Sequence, residues 1–216
     1  MEYGNAPIVL GNVDLNPVEM MCYLYLPIKM PNTDVRIPQR LEYANEMIEM
    51  VLQDAAVTIP DFDKHYVYIT AKTLFVQGQY SGNRPGWHAD GFGSHGDINY
   101  LWYDMNPTEF AVQKFNNIPT DDFESMLEME RQIDLDSVVQ YPCGNVLRLD
   151  ETIVHRVNPE IKSGMRTFIK ISVSRNRFNL AGNSHNYLFD YNWNMHNRGE
   201  TRNLDSNNKD YVEELM

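Results

Sequence analysis

Arg166-Thr167-Phe168-Ile169-Lys170-Ile171-Ser172-Val173-Ser174 is a stretch whose side chains sort into two sets by simple alternation. Successive residues of a strand point to opposite faces. Thr167, Ile169, Ile171 and Val173 therefore share one face, which a helix can cover. Arg166, Phe168, Lys170 and Ser172 share the other and face an interior. An arginine and a lysine turned inward are costly unless something anionic is there.

Outward from this strand, β-branched and aromatic runs recur at 21–26, 66–70, 73–77, 97–103, 108–115, 137–141, 145–149 and 152–156, with turn residues between them. Two segments differ. From Gln39 to Asp54 the residues Leu41, Ala44, Met47, Ile48, Val51 and Leu52 recur at helical spacing, which predicts an amphipathic helix. Thr120 to Gln132 reads as a shorter helix, with Thr120 as N-cap and Phe123, Met126 and Leu127 as its buried side. Many short strands with covering helices indicate a mainly β sandwich or barrel. The expected organisation is one domain over 1–216: a covering segment and helix at 1–60, a β core at about 65–175, and a polar tail at 182–216. In that tail Tyr187, Phe189, Tyr191 and Trp193 alternate, and the sequence leaves open whether it packs down or stays mobile.

Composition bounds the partners. The 216 residues suffice for one well-cored domain, and 43% hydrophobic with 22% charged residues is ordinary for a globular protein. No apolar run approaches the roughly 20 residues of a membrane span, and the N-terminus lacks a signal-peptide pattern. A cytoplasmic protein with no membrane partner is expected. The net charge of -12 disfavours duplex DNA, so a small molecule, a free nucleotide or a protein side chain is the expected substrate. The two cysteines, Cys22 and Cys143, lie far apart in no metal-ligand spacing and are expected to be reduced thiols.

The chemistry-bearing residues are Trp87-His88-Ala89-Asp90 and, much later, His155-Arg156-Val157-Asn158-Pro159. In an extended segment His88 and Asp90, two apart, project together. His155 follows the apolar run Thr152-Ile153-Val154 and reads as a strand-end residue facing a cavity. Two histidines and one carboxylate are the ligand set of catalytic non-haem Fe(II), leaving about three of six octahedral positions open. His95, on the same glycine-rich loop as Asp90, is a rival third ligand, but a set drawn from one loop would be less rigid.

These residues resemble the Fe(II)/2-oxoglutarate-dependent oxygenases, in which a double-stranded β-helix (a jelly-roll barrel) carries a His-x-Asp…His triad and a basic residue on the last core strand. Here the match is His88-Ala89-Asp90, His155 and then Arg166, over roughly residues 65–175. The stretch from His155 to Arg166 is similar to the distal motif of the prolyl-hydroxylase-like branch. The resemblance implies a dioxygenase, a hydroxylase that converts 2-oxoglutarate to succinate and CO2 with O2. His88, Asp90 and His155 would hold iron, Arg166 would pair with the distal carboxylate of 2-oxoglutarate, and Tyr80 would assist it. One departure is Phe168, where many relatives have Ser or Thr two residues after the arginine.

Each motif also has a plainer reading. His-x-Asp arises readily by chance, His88 suits a turn beside Gly86 and Gly91, and His155 suits a hydrogen-bonded core position. Tyr80 suits an ordinary strand aromatic, Trp87 a core or pocket wall, and Arg156 a solvated strand end. Lys170 and Asn99 fall on the inward side by alternation. His65, His185 and His196 are expected at the surface. A non-catalytic jelly-roll binding module and a cupin-like metalloenzyme without 2-oxoglutarate are the alternatives.

Overall fold

The computed structural model describes residues 1–78, 80–91 and 95–198. The described chain is mainly antiparallel β, with two α-helices of more than two turns. Its strands are β1 (Ile8–Asn12), β2 (Met21–Lys29), β3 (Tyr66–Val76), β4 (His88–Ala89), β5 (Ile98–Tyr103), β6 (Thr108–Ala111), β7 (Val138–Gln140), β8 (Asn145–Leu149), β9 (Val154–Val157) and β10 (Gly164–Ser174). The helices are α1 (Asn45–Thr58) and α2 (Asp122–Gln132). A six-stranded sheet runs β1-β8-β5-β10-β3-β2, and a four-stranded sheet runs β4-β9-β6-β7. From β3 onward the chain passes between the sheets repeatedly, so strands distant in sequence become neighbours.

The alternation of β10 sets the layering. Ile169, Ile171 and Val173 join Val67, Ile69 and Ala71 of β3 and Met47, Ile48, Val51 and Ala55 of α1 in one buried cluster. That places α1 on the outer face of the large sheet. Leu101, Tyr103, Leu147, Leu149 and Phe168 meet Phe110 of the small sheet in a second cluster between the sheets. Trp87, Ala89, Ala111 and Val154 pack with Met129 of α2 on the outer face of the small sheet. The inner faces of the two sheets thus enclose what α1 and α2 do not cover.

Several expectations shift in detail. The runs 66–70 and 73–77 form one strand, because β10 pairs along all of β3 from Gly164↔Val76 to Ser174↔Tyr66. The first helix begins as a 3-10 turn at Gln39–Ala44 and continues as α1 to Thr58, four residues beyond the expected end. Ala55 is fully buried and extends the apolar stripe; Ile59, extended at φ -105° and ψ 115°, then stops the helix ahead of Pro60. In α2 the cap is Asp121, not Thr120: its carboxylate accepts from the backbone N–H groups of Phe123 and Glu124, both at 2.9 Å. The buried side of α2 is Ser125 and Met129, whereas Phe123 and Leu127 are exposed. The small Ser125 side chain is fully buried there, its hydroxyl donating to Asp122 O at 2.7 Å.

Residues 182–198 of the expected tail pack on the edge of the large sheet; residues 199–216 lie outside the described residues. Asn186 Nδ2 donates to Pro27 O and Arg36 O, and Ser184 exchanges hydrogen bonds with Leu24. Trp193 stacks edge-on against Tyr66 of β3. His65, expected at the surface, is buried, held between Asp61 O and the Arg175 guanidinium. Both cysteines are free thiols, Cys22 exposed and Cys143 half-buried. No helix among the described residues is long and apolar enough to cross a membrane.

Candidate metal centre

β4 and β9 pair antiparallel with His88 directly opposite His155 and Ala89 opposite Val154. Paired residues share a face, so Ala89 and Val154 go outward beneath α2 while both imidazoles go inward. Asp90 follows β4 in a turn and returns to the side of His88. Ligating atoms of His88, Asp90 and His155 all lie within 4.8 Å of one another, a group able to hold a metal ion. His155 sits within β9 and not at a strand end as expected. Asp150 is the reason: its carboxylate accepts from Thr152 N and Oγ1, turning 150–153 so that the strand starts at Val154.

The donor set fits a metal. His88 Nδ1 lies 2.9 Å from Gly86 O, and His155 Nδ1 lies 3.1 Å from Ile153 O. A carbonyl can only accept, so each Nδ1 carries the proton and each Nε2 presents its lone pair. Burial pushes the His88 imidazole down to about 4, helped by the neighbouring His155. Burial lowers His155 as well, against the opposing pull of Asp90. Both rings are therefore neutral near pH 7, the form that ligates. Burial pushes the Asp90 carboxyl up, but Lys170 above all, with the two imidazoles, holds it well below the usual carboxylate range.

Lys170 is the partner that alternation alone only hinted at. Its Nζ lies 3.1 Å from Asp90 Oδ2, with side chains 14% and 22% exposed. The Tyr25 ring lies 5.3 Å from the same ammonium. Although burial opposes the charge, Asp90 and then Tyr25 keep Lys170 protonated.

Arg166 is 3% exposed on the inner face of β10. Nε donates to Met105 O at 3.0 Å and Nη2 to Asn106 O at 3.3 Å. The Asn83 carboxamide completes the set, with Oδ1 accepting from Nη1 at 3.0 Å and Nδ2 donating to Gly82 O. A guanidinium has five N–H groups, so three bonds leave one hydrogen on each Nη, the fork that a carboxylate accepts from. Burial pushes this guanidinium down, and Asp104 is the main group opposing that. Its flat face lies 5.2 Å from the Phe168 ring.

The remaining candidates fall elsewhere. Tyr80 is 66% exposed, exchanges backbone hydrogen bonds with Gln77 and lines a cleft of about 450 Å³ with Leu74 and Asn83. Its loop thus delivers Asn83, not Tyr80, to the guanidinium. His95 is 80% exposed beside Glu151 and outside the ligand group. Arg156, expected to be solvated, pairs with Glu109 at 2.7 Å and covers the Trp87 ring at 4.4 Å. Asn99 is buried and accepts from Ser172 Oγ at 2.6 Å. Asn83 and Asn106 were missed in the sequence, because loop asparagines carry no spacing that marks them.

No protein-family model matches the chain, and no curated protein matches it. Solved structures of EvdO2 from Micromonospora carbonacea var. aurantiaca align with TM-scores of 0.36 and 0.35 at 15% identity, the second complexed with 2-oxoglutarate. The chain covers 66% of the length of that protein, and 64% of its own. A likeness this distant carries no weight for the chemistry of this chain.

Proposed function

We propose that the chain is an Fe(II)- and 2-oxoglutarate-dependent dioxygenase, a hydroxylase acting on a small molecule or an exposed side chain. The observation that carries the reading is the convergence of His88, Asp90 and His155 within 4.8 Å, both histidines set with Nε2 free. The sheet orders support a double-stranded β-helix, with β3 to β10 as its eight strands. In this reading β4 and β9 carry the metal ligands and β10 the basic residue.

When bound, Fe(II) with 2-oxoglutarate and O2 supplies oxidation of an unactivated C–H bond coupled to decarboxylation to succinate. The chain supplies position and charge. His88 and His155 present neutral nitrogens, and Gly86 O and Ile153 O fix their tilt. Asp90 would hold the ion as the one carboxylate of the set, with Lys170 donating to its Oδ2. Arg166, clamped by Met105 O, Asn106 O and Asn83, offers its remaining fork to the distal carboxylate of the co-substrate. Phe168 and Leu101, on the same face of the large sheet as Lys170 and Arg166, are buried in the apolar cluster between the sheets.

Incubation with Fe(II), O2 and 2-oxoglutarate should release succinate slowly even without the proper substrate. Arg166→Ala should abolish this while leaving metal uptake intact. Metal uptake with no succinate, and no effect of Arg166→Ala on 2-oxoglutarate binding, would favour the cupin-like reading instead. The Lys170–Asp90 ion pair is the observation that favours a non-catalytic module, and in that case the ligand group would take up no metal.

A further inference from the structure

We propose that the substrate of this centre carries a carboxylate or phosphate group, and that Lys72 is the residue that holds it. The proposal rests on the oxygenase reading for the metal and co-substrate, and on strand register for the lysine. β10 pairs with β3 so that Arg166 lies opposite Leu74, Phe168 opposite Lys72, and Lys170 opposite Thr70. Paired residues share a face, so Lys72 projects to the inner side, diagonally between two other cations.

The three cations are not equally engaged. Arg166 is clamped by three carbonyl oxygens and Lys170 is paired with Asp90. Lys72 Nζ donates to Gly82 O at 2.8 Å; with the Asn83 oxygen turned to Arg166, the group 3.3 Å from Nζ is the Asn83 NH2, which cannot accept from it. Among the described residues no carboxylate forms an ion pair with it. Burial pushes its ammonium down; the Cys22 thiol opposes this, while Lys170 and Arg166 add to it.

The charges of the loaded site then decide the class of substrate. A divalent ion, the Asp90 carboxylate, a dicarboxylate co-substrate and the Arg166 guanidinium cancel formally, with Asp104 beside Arg166 at the exposed edge. Lys72 and Lys170 then leave a net positive charge on a partly dehydrated face even with the exposed Asp104 counted against them, an arrangement that is costly unless an anion joins it. The chain as a whole is strongly acidic, with a net charge of -12, so a general surplus of lysine does not account for them. Tyr25 marks the same place independently. It takes a φ of 44° at an irregularity of β2 between Tyr23 and Leu26, and its ring faces Lys170. A non-glycine residue in that conformation is strained, and such strain collects where a ligand is bound.

The test uses the full chain loaded with Mn(II) and 2-oxoglutarate. Phosphorus relaxation of added inorganic phosphate and carbon relaxation of carboxyl-labelled acetate report an anion close to the paramagnetic ion. At least one anion should be relaxed, and which one separates a phosphate from a carboxylate substrate. Lys72→Met should weaken that binding about tenfold, Lys72→Arg should restore most of it, and Mn(II) and 2-oxoglutarate affinities should stay unchanged. Lys114→Met, at a lysine 70% exposed on the surface, should change nothing. If Lys72→Met fails to fold, Lys72→Gln, which keeps an uncharged hydrogen-bond donor at the position, carries the same expectation. A response in Lys72→Met or Lys72→Gln equal to that of wild type, no response of either anion in the loaded protein, or loss of 2-oxoglutarate from Lys72→Met would overturn the proposal. A protein that binds no Mn(II) would instead contradict the metal reading. Equilibrium dialysis of phosphate and acetate then decides the subsite alone: binding that depends on Lys72 supports it, and its absence overturns it.

Discussion

The Lys170 ammonium sits 3.1 Å from the Asp90 carboxylate where both side chains are largely withdrawn from water. Removing one member of such a pair leaves the other charge dehydrated and alone. Lys170→Met should therefore cost the metal-free protein about 2 kcal/mol, discounted from the fully buried case for the remaining solvent contact. Mn(II) should recover part of that loss, because the ion replaces the missing positive charge. Urea unfolding with and without Mn(II) measures both; a variant as stable as wild type would show that the pair contributes nothing.

His88 gives a pH dependence of known sign. Its pKa is about 4 in the folded chain and near 6.5 when unfolded. Between those values the unfolded chain binds a proton that the folded chain refuses, so stability of the metal-free protein falls as pH drops from 6.5 towards 4. The full effect is on the order of 3 kcal/mol. His155, lowered in the same direction, adds to it. Asp90 acts at lower pH: its depressed pKa stabilises the fold above the unfolded value of about 3.8 and loses that contribution below it. His88→Gln should flatten the slope of unfolding free energy between pH 6.5 and 5; an unchanged slope would mean that burial of this ring is not its source.

At the scale of elements, α1 fixes which face of the large sheet is dry. Ile48 and Ile169 are 1% and 0% exposed in the same cluster. Ile48→Ala or Ile169→Ala should each cost about 3 kcal/mol in urea unfolding at pH 7. Asp121→Ala, which removes the cap of α2, should cost about 1 kcal/mol. Thr120→Ala should cost much less, and a reversal of that order would return the cap to Thr120. The two positions also show where sequence reading stops. Adjacent Thr and Asp are both good caps, and only the chain's approach to the small sheet selects Asp121. The strand 166–174 was legible because its alternation is strict and both faces are decided by residue type. The side of α2 was not, since Phe123 and Leu127 are more apolar than Ser125 yet lie away from the sheet. His155 was read as a candidate ligand from its neighbours, but its place within β9 depends on the Asp150 turn, a local hydrogen bond without periodicity.

At the scale of the molecule, passage of the chain between two sheets brings β4 beside β9 and sets their inner face against β10. The candidate ligand group and the buried arginine could be read from the chain because His88, Asp90, His155 and Arg166 are chemically distinctive. Their surroundings could not, because Asn83, Asn106, Lys72 and Tyr25 gain meaning only through register and loop geometry. The same fold accounts for an acidic protein with a cationic interior: Lys72, Arg166 and Lys170 project from the face that the outer helices leave free. The central claim is that His88, Asp90 and His155 bind one divalent ion together. Titration of the purified chain with Mn(II), followed by electron paramagnetic resonance, tests it most directly. One ion per chain should bind, and His155→Ala should weaken it by at least about 100-fold while the variant stays folded. Binding that is indifferent to His155→Ala, or no stoichiometric binding by the folded wild type, would contradict the account.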